Sequence, residues 1–96
     1  MKKFIRKFMA AVTTRMATRV HSYNKKIWEV QRWGYDGDPA VRMLGKMWDT
    51  VYCDDEIAQR LGIHPRVFAS FGTKAEGKAY LHEYRKQLIA ILVGAD

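Results

Sequence analysis

Apolar side chains recur at steps of three or four residues through the first third of the chain. They are Ile5, Met9, Val12, Met16, Val20, Tyr23, Ile27 and Val30. No glycine or proline interrupts this region between residues 3 and 33. Because this spacing places apolar side chains on one face of a helix, it predicts one long amphipathic helix over residues 1–33.

Turn residues and helix-capping residues divide the rest of the chain into shorter segments. The run over 34–39, G-Y-D-G-D-P, favours a turn over continued helix. Asp38 can cap a following helix, with Pro39 at its first position. Thr73 and Glu76 have the spacing of a capping box and predict a last helix running nearly to the end of the chain. Between them, apolar positions and turns predict helices over about 39–53, 55–61 and 65–71.

These segments together predict the fold class. No segment alternates convincingly between apolar and polar residues, so no strand is expected. The predicted fold is all-α, a compact helical bundle forming one domain over residues 1–96. A long basic helix would occupy 1–33, and a helical core would occupy 38–96 and include a helix-turn-helix-like corner at 54–71.

The corner D-D-E-I-A-Q-R-L-G-I-H-P-R-V-F is similar to helix-turn-helix proteins. Gly62 would make the turn, and Ala58 would lie where the two helices cross. A recognition helix here would read DNA mainly through Arg66 and Ser70. However, the acids at 54–56 oppose phosphate contact, so a purely structural corner is the favoured interpretation and a DNA-binding regulator the alternative.

Charge is concentrated at one end of the chain. The net charge is +7. Residues 1–33 contain nine Lys/Arg and one acid, Glu29, whereas residues 34–96 contain eight Lys/Arg and nine acids. This basic segment indicates an anionic partner such as nucleic acid, lipid headgroups or an acidic protein surface, although a solvated basic face is the simpler alternative.

The sequence offers no pattern typical of an enzyme or a metal site. Cys53 and the three histidines have no zinc-ligand spacing, and no nucleophile signature or glycine-rich phosphate loop is present. We therefore predict a non-enzymatic protein with no metal and no cofactor. Neither an export signal nor a membrane-spanning run is recognised, which predicts a cytoplasmic protein without a membrane partner.

Two stretches resemble a known family. The run M-K-K-F-I-R-K-F-M-A-A-V-T-T-R-M-A-T-R-V-H-S-Y-N-K-K-I-W-E-V-Q-R-W-G-Y-D and the turn G-I-H-P-R-V-F look like the anti-RecBCD accessory proteins of temperate phages of enteric bacteria, over essentially all 96 residues. The resemblance implies binding to the host RecBCD helicase–nuclease through its RecC subunit, in the host cytoplasm. It implies that RecBCD is inhibited or modified so that phage DNA ends survive for recombination. It also implies a link to a host peptidyl-prolyl isomerase, with Pro65 as the natural contact and His64 and Arg66 beside it.

The residues of the partner-binding surface follow from charge and aromatic content rather than from the resemblance. Cations expected to guide the approach are Lys2, Lys3, Arg6, Lys7, Arg15 and Arg19. Aromatic side chains expected to anchor the complex are Phe4, Phe8, Trp28 and Trp33. The tryptophans, Trp48 included, are also typical of a core, and that interpretation is favoured for them.

Overall fold

The structure is a computed structural model that describes residues 2–34, 43 and 45–94. In this part of the chain there are three helices and four strands. In chain order they are α1 (Lys2–Met16), β1 (Thr18–His21), β2 (Trp28–Gly34), β3 (Met47–Thr50), α2 (Asp55–Leu61), β4 (Ser70–Phe71) and α3 (Lys74–Gly94). The all-α prediction is wrong, because the four strands form one antiparallel sheet.

The long helix predicted over residues 1–33 ends at Met16. After it the chain forms a hairpin of β1 and β2, in which Val20 pairs with Val30. Asn24 stabilises the connecting loop, since its side-chain oxygen accepts the backbone N–H groups of Lys26 and Ile27 at 2.9 and 3.1 Å. The helical spacing of apolar residues misled the prediction because Val20 and Val30 also lie at matching positions of two paired strands.

The prediction of a helix over 39–53 is also wrong for the part of this range that the structure describes. Residues Met47–Thr50 form β3, which pairs with β2 in the register Trp33 opposite Trp48 and Gln31 opposite Thr50. β4 joins the same edge of β2 further along, with Ser70 opposite Glu29. The predicted cap at Asp38 and Pro39 lies outside the described residues.

The first half of the predicted helix-turn-helix is present and the second half is not. Asp54 caps α2 by accepting the N–H groups of Glu56 and Ile57, and Gly62 ends it in the left-handed conformation, with φ of 66°. The chain then continues extended, and Phe68 pairs with Tyr52. Pro65 lacks an N–H, and its following β-branched and aromatic residues favour a strand, so no recognition helix forms.

The last helix and its capping box are confirmed. The Thr73 hydroxyl accepts the N–H of Glu76 at 3.2 Å and donates to the Glu76 carboxylate at 3.0 Å. α3 then crosses β1, β2 and β4. Gly77 allows this close packing, because an added Cβ there would lie 3.2 Å from a methyl group of Val20 and 3.5 Å from Cβ of Trp28.

The sheet has two chemically different sides. The core side faces α3, and the buried cluster on it consists of Val30, Ile57, Ala69, Phe71, Tyr80 and Leu81. Side chains alternate along each strand, so the residues between the core-facing ones point the other way. We call this other side the outer face; it consists of Arg19, His21, Glu29, Gln31, Trp33, Trp48, Thr50, Tyr52, Phe68 and Ser70.

Candidate partner-binding surfaces

Helix α1 exposes most of its large apolar side chains. Phe4 and Phe8 are 76% and 60% exposed, and the same side of the helix surface also carries exposed aliphatic residues. We define the α1 surface as the exposed apolar residues of this helix, which are Phe4, Ile5, Phe8, Met9, Val12 and Met16. The side of α1 that packs against α3 is made of small residues, with Ala10 and Thr14 buried. These small side chains let α1 approach α3 closely. The large apolar side chains of the predicted stripe lie on another side of α1, at the surface.

The cations predicted to guide a partner divide between two surfaces. Lys2, Lys3, Arg6, Lys7 and Arg15 lie in α1, which has no acid in its first turn. Arg19 lies on the outer face instead, where its guanidinium carbon is 4.1 Å from the centre of the Trp48 ring and its Nε donates to the Gln31 side chain at 2.8 Å. Helix α1 thus combines exposed aromatic rings with positive charge.

Helix α3 fixes the junction between α1 and β1. Nε of Arg85 donates to the Thr18 hydroxyl at 2.8 Å, and its Nη2 donates to the Thr18 carbonyl at 3.1 Å. Burial lowers the pKa of Arg85, and the nearby positive charge of Arg15 lowers it further. This junction orients α1 relative to the sheet.

The predicted tryptophan anchors occupy different environments. Trp28 is half-buried on the core side beside Gly77, with the Lys74 ammonium 5.6 Å from its ring centre. Trp33 is 42% exposed on the outer face and packs against Trp48 with ring centres 5.5 Å apart. Of the two, Trp33 is the one placed to contact a partner.

The loop after α2 exposes the predicted prolyl-isomerase contact. His64 and Pro65 are both exposed, and the bond between them is trans. Arg66 is used to hold this loop: its Nε donates to the His64 carbonyl at 3.0 Å and its Nη1 to the Ser70 carbonyl at 2.8 Å. Arg66 and Ser70 lie in an extended segment and at the start of β4, so the recognition helix predicted to carry them is absent.

Two grooves adjoin these surfaces. One, of about 720 Å³, runs from the end of α1 to the outer face, between Met16 and Trp33, Trp48 and Lys46. The other, of about 430 Å³, lies on the core side between Arg32 and Tyr84. Burial raises the pKa of Tyr84, and the charge of Arg32 opposes that rise. The larger groove connects the α1 surface with the outer face.

The described residues contain no group of three or more His, Cys, Asp and Glu side chains able to hold a metal ion. Cys53 is a free, half-buried thiol that packs against the core. None of the three helices is long and apolar enough, within its described residues, to cross a membrane.

Comparisons with protein-family models, with curated proteins and with solved structures give no match for this chain.

The exposed aromatic pair of Tyr52 and Phe68 was missed by sequence reasoning. The two rings stack with centres 5.2 Å apart, and they are 74% and 47% exposed. Their neighbours Val51, Cys53 and Ala69 pack into the core, so both rings point to the outer face. The alternation of apolar and polar residues around Val51 was the available signal, but it extends over too few residues to be distinctive.

Proposed function

We propose that this protein is a non-catalytic phage protein that binds the host RecBCD helicase–nuclease through RecC. Binding inhibits or modifies the enzyme, so that phage DNA ends survive for recombination. The observation that carries the proposal is the exposure of Phe4 and Phe8 on a helix rich in Lys and Arg. The resemblance in sequence supplies the identity of the partner.

Exposed aromatic rings on an ordered helix favour a protein partner. Contiguous exposed apolar side chains typically mark interaction sites, and aromatic rings carry much of the binding energy in protein complexes. Phe4 and Phe8 lie one helical turn apart, so both can enter the same partner groove. We therefore assign the α1 surface as the part that holds RecC.

The positive charge of α1 favours an acidic docking site. Lys7 and Arg15 are exposed on the helix that carries the rings. Cations around an apolar anchor accelerate and orient association with a negatively charged surface. The geometry therefore supports a division of roles, with charges guiding the approach and rings holding the complex.

The exposed His64-Pro65 step supports a second contact, with a host peptidyl-prolyl isomerase. It lies on the loop after α2, whereas the rings of the proposed RecC contact lie on α1. Such an enzyme requires an accessible X-Pro bond, and this loop provides one. The proposal is that the isomerase binds this loop while α1 engages RecC.

The test is digestion of linear duplex DNA by purified RecBCD and ATP, with and without the full chain. The proposal predicts slower or altered digestion in the presence of the chain and stable co-elution of the chain with RecBCD. A second nuclease of unrelated structure, acting on the same DNA, should be unaffected. Unchanged digestion and separate elution would reject the proposal, and equal protection from both nucleases would show that the chain acts by coating DNA.

A further inference from the structure

The outer face carries two pairs of aromatic rings on one sheet surface. Trp33 and Trp48 form one pair, and Tyr52 and Phe68 form the other. Trp48 and Tyr52 are four residues apart on one extended segment, which separates the pairs by about 13 Å at the usual strand rise of ~3.3 Å per residue. Thr50 lies between them on the same side.

The polar groups between the rings are bonded to one another. The Arg19 guanidinium bonds to Gln31, which is buried, and the Thr50 hydroxyl donates to the Glu29 carboxylate. These two hydrogen bonds hold the polar side chains between the rings in place. Trp33, Tyr52 and Phe68 are exposed beside these hydrogen-bonded side chains, whose fixed positions reduce the conformational entropy that binding would cost.

Positive charge borders the same surface. Arg19 stacks on Trp48, and Lys46 lines the groove beside Trp33 and Trp48. Lys25 and Lys26 are exposed in the loop at the far end of the β1–β2 hairpin. Glu29 is the acid among the outer-face residues defined above, and its carboxylate accepts the Thr50 hydroxyl. The cations at this border can neutralise the phosphates of a bound strand.

We propose that the outer face binds single-stranded nucleic acid, with bases stacking on Tyr52, Phe68 and Trp33 and with phosphates close to the bordering cations. A rigid antiparallel sheet with exposed rings and a positive border is an arrangement that binds unpaired bases with little sequence preference. This inference goes beyond the proposed function, since it requires neither RecC nor α1.

Single strands fit this surface better than a duplex does. The bases of a duplex are stacked on each other and do not offer a face to a protein ring, whereas unpaired bases do. The rings are spread along the strands of a sheet, and no described helix projects from this surface to enter a major groove. Binding should therefore depend on unpaired bases.

The experiment measures fluorescence anisotropy of labelled oligothymidine, oligouridine and duplex DNA with the full chain. We expect single strands to bind more tightly than the duplex, with an affinity that falls as salt rises. In the unmodified protein, binding should also quench tryptophan emission, because bases would stack beside Trp33 and Trp48. The DNA and RNA arms show which strand is preferred.

The variant Tyr52→Ala/Phe68→Ala removes two exposed rings from the outer face. It should raise the Kd for oligothymidine by about fivefold or more, from the usual contribution of base–aromatic stacking. The matched control is Phe4→Ala/Phe8→Ala, which also removes two exposed rings and should leave this Kd unchanged. Circular dichroism and the melting temperature verify that both variants fold.

Three results of the oligonucleotide measurements alone would overturn the inference. They are the absence of both anisotropy change and quenching at low salt, a duplex affinity equal to that for single strands, and an equal loss in both double variants. If Tyr52→Ala/Phe68→Ala weakened RecBCD binding and left oligonucleotide binding intact, the outer face would be a protein contact and the inference wrong. Loss of oligonucleotide binding with intact RecBCD binding supports it and is independent of the proposed function.

Discussion

The hydroxyl of Tyr80, in the middle of the core, accepts the backbone N–H of Asp54 at 2.8 Å. The same hydroxyl donates to the carbonyl of Tyr52 at 3.4 Å. One side chain of α3 thus fixes both the start of α2 and the end of the segment that follows β3. Replacing Tyr80 by Phe leaves the Asp54 N–H without this partner, which should cost ~1–3 kcal/mol. Urea unfolding of Tyr80→Phe beside the unmodified protein measures this loss, and equal midpoints would contradict it.

The pKa of Tyr80 also predicts how the free energy of unfolding changes at alkaline pH. Burial raises the pKa of its hydroxyl from 10.0 to about 12. The unfolded chain releases this proton near its ordinary pKa and the folded chain only near the raised one, so the stabilisation is complete below pH 10.0 and is lost as pH rises towards about 12. The free energy of unfolding should fall across this window. In Tyr80→Phe the fall should be shallower, and an identical slope would contradict the assignment.

The cap at Asp54 predicts an effect at acid pH. Its pKa is lowered, chiefly because the carboxylate accepts the N–H of Ile57. The stabilisation is therefore present above the ordinary value of 3.8 and is lost as pH falls through the lower folded value. Asp54→Ala should cost ~1 kcal/mol at neutral pH. Asp54→Asn keeps an acceptor oxygen and should retain most of that stability while losing the acid dependence, as urea unfolding at several pH values would show.

The close packing of α3 on the sheet at Gly77 limits the size of the side chain that this position accepts. A side chain there meets Val20 and Trp28 at once, so Gly77→Leu should destabilise the fold by ~2 kcal/mol or more, despite the higher helix propensity of Leu. The matched control is Ala79→Leu, an exposed position on the same helix. Thermal unfolding should separate the two variants clearly. Similar melting temperatures would mean that the helix does not rest on the sheet as described.

The proposed docking mechanism predicts an effect of charge on association with RecBCD. Lys7→Glu reverses an exposed charge on α1 and should lower the association rate several-fold at low salt, with a smaller difference at high salt. Lys78→Glu makes the same charge change at an exposed position on α3 and serves as the control. Surface-immobilised RecBCD gives both rates. An equal effect of the two variants would mean that the net charge of the protein, and not the position of the charge on α1, controls the association rate.

Local signals in the sequence predicted part of this fold correctly. Gly62 was predicted to make a turn and Thr73 to open the last helix with a capping box, both from neighbours a few residues away, and the structure confirms both. The end of α1 was not predictable in this way. Val20 and Val30 satisfy the period of a helix and also that of a hairpin, and only the pairing of distant residues distinguishes the two.

The surfaces were predictable only in part, for a related reason. Phe4 and Phe8 were expected among the partner contacts, and their exposure agrees with that expectation, which remains to be tested. The outer face could not be predicted, because Trp48, Tyr52 and Phe68 come together only through the sheet. A sequence with short strands gives few alternating positions, and tertiary pairing then decides the structure.

The most direct test of the central claim is the affinity of Phe4→Ala/Phe8→Ala for purified RecBCD, measured beside Tyr52→Ala/Phe68→Ala. Both variants remove two exposed rings, but only the first changes the α1 surface. We predict that the α1 variant raises the Kd about thirtyfold or more, as expected when aromatic anchors worth ~2 kcal/mol or more are removed, while its melting temperature is unchanged. Full affinity in the α1 variant would contradict the claim that α1 holds the partner.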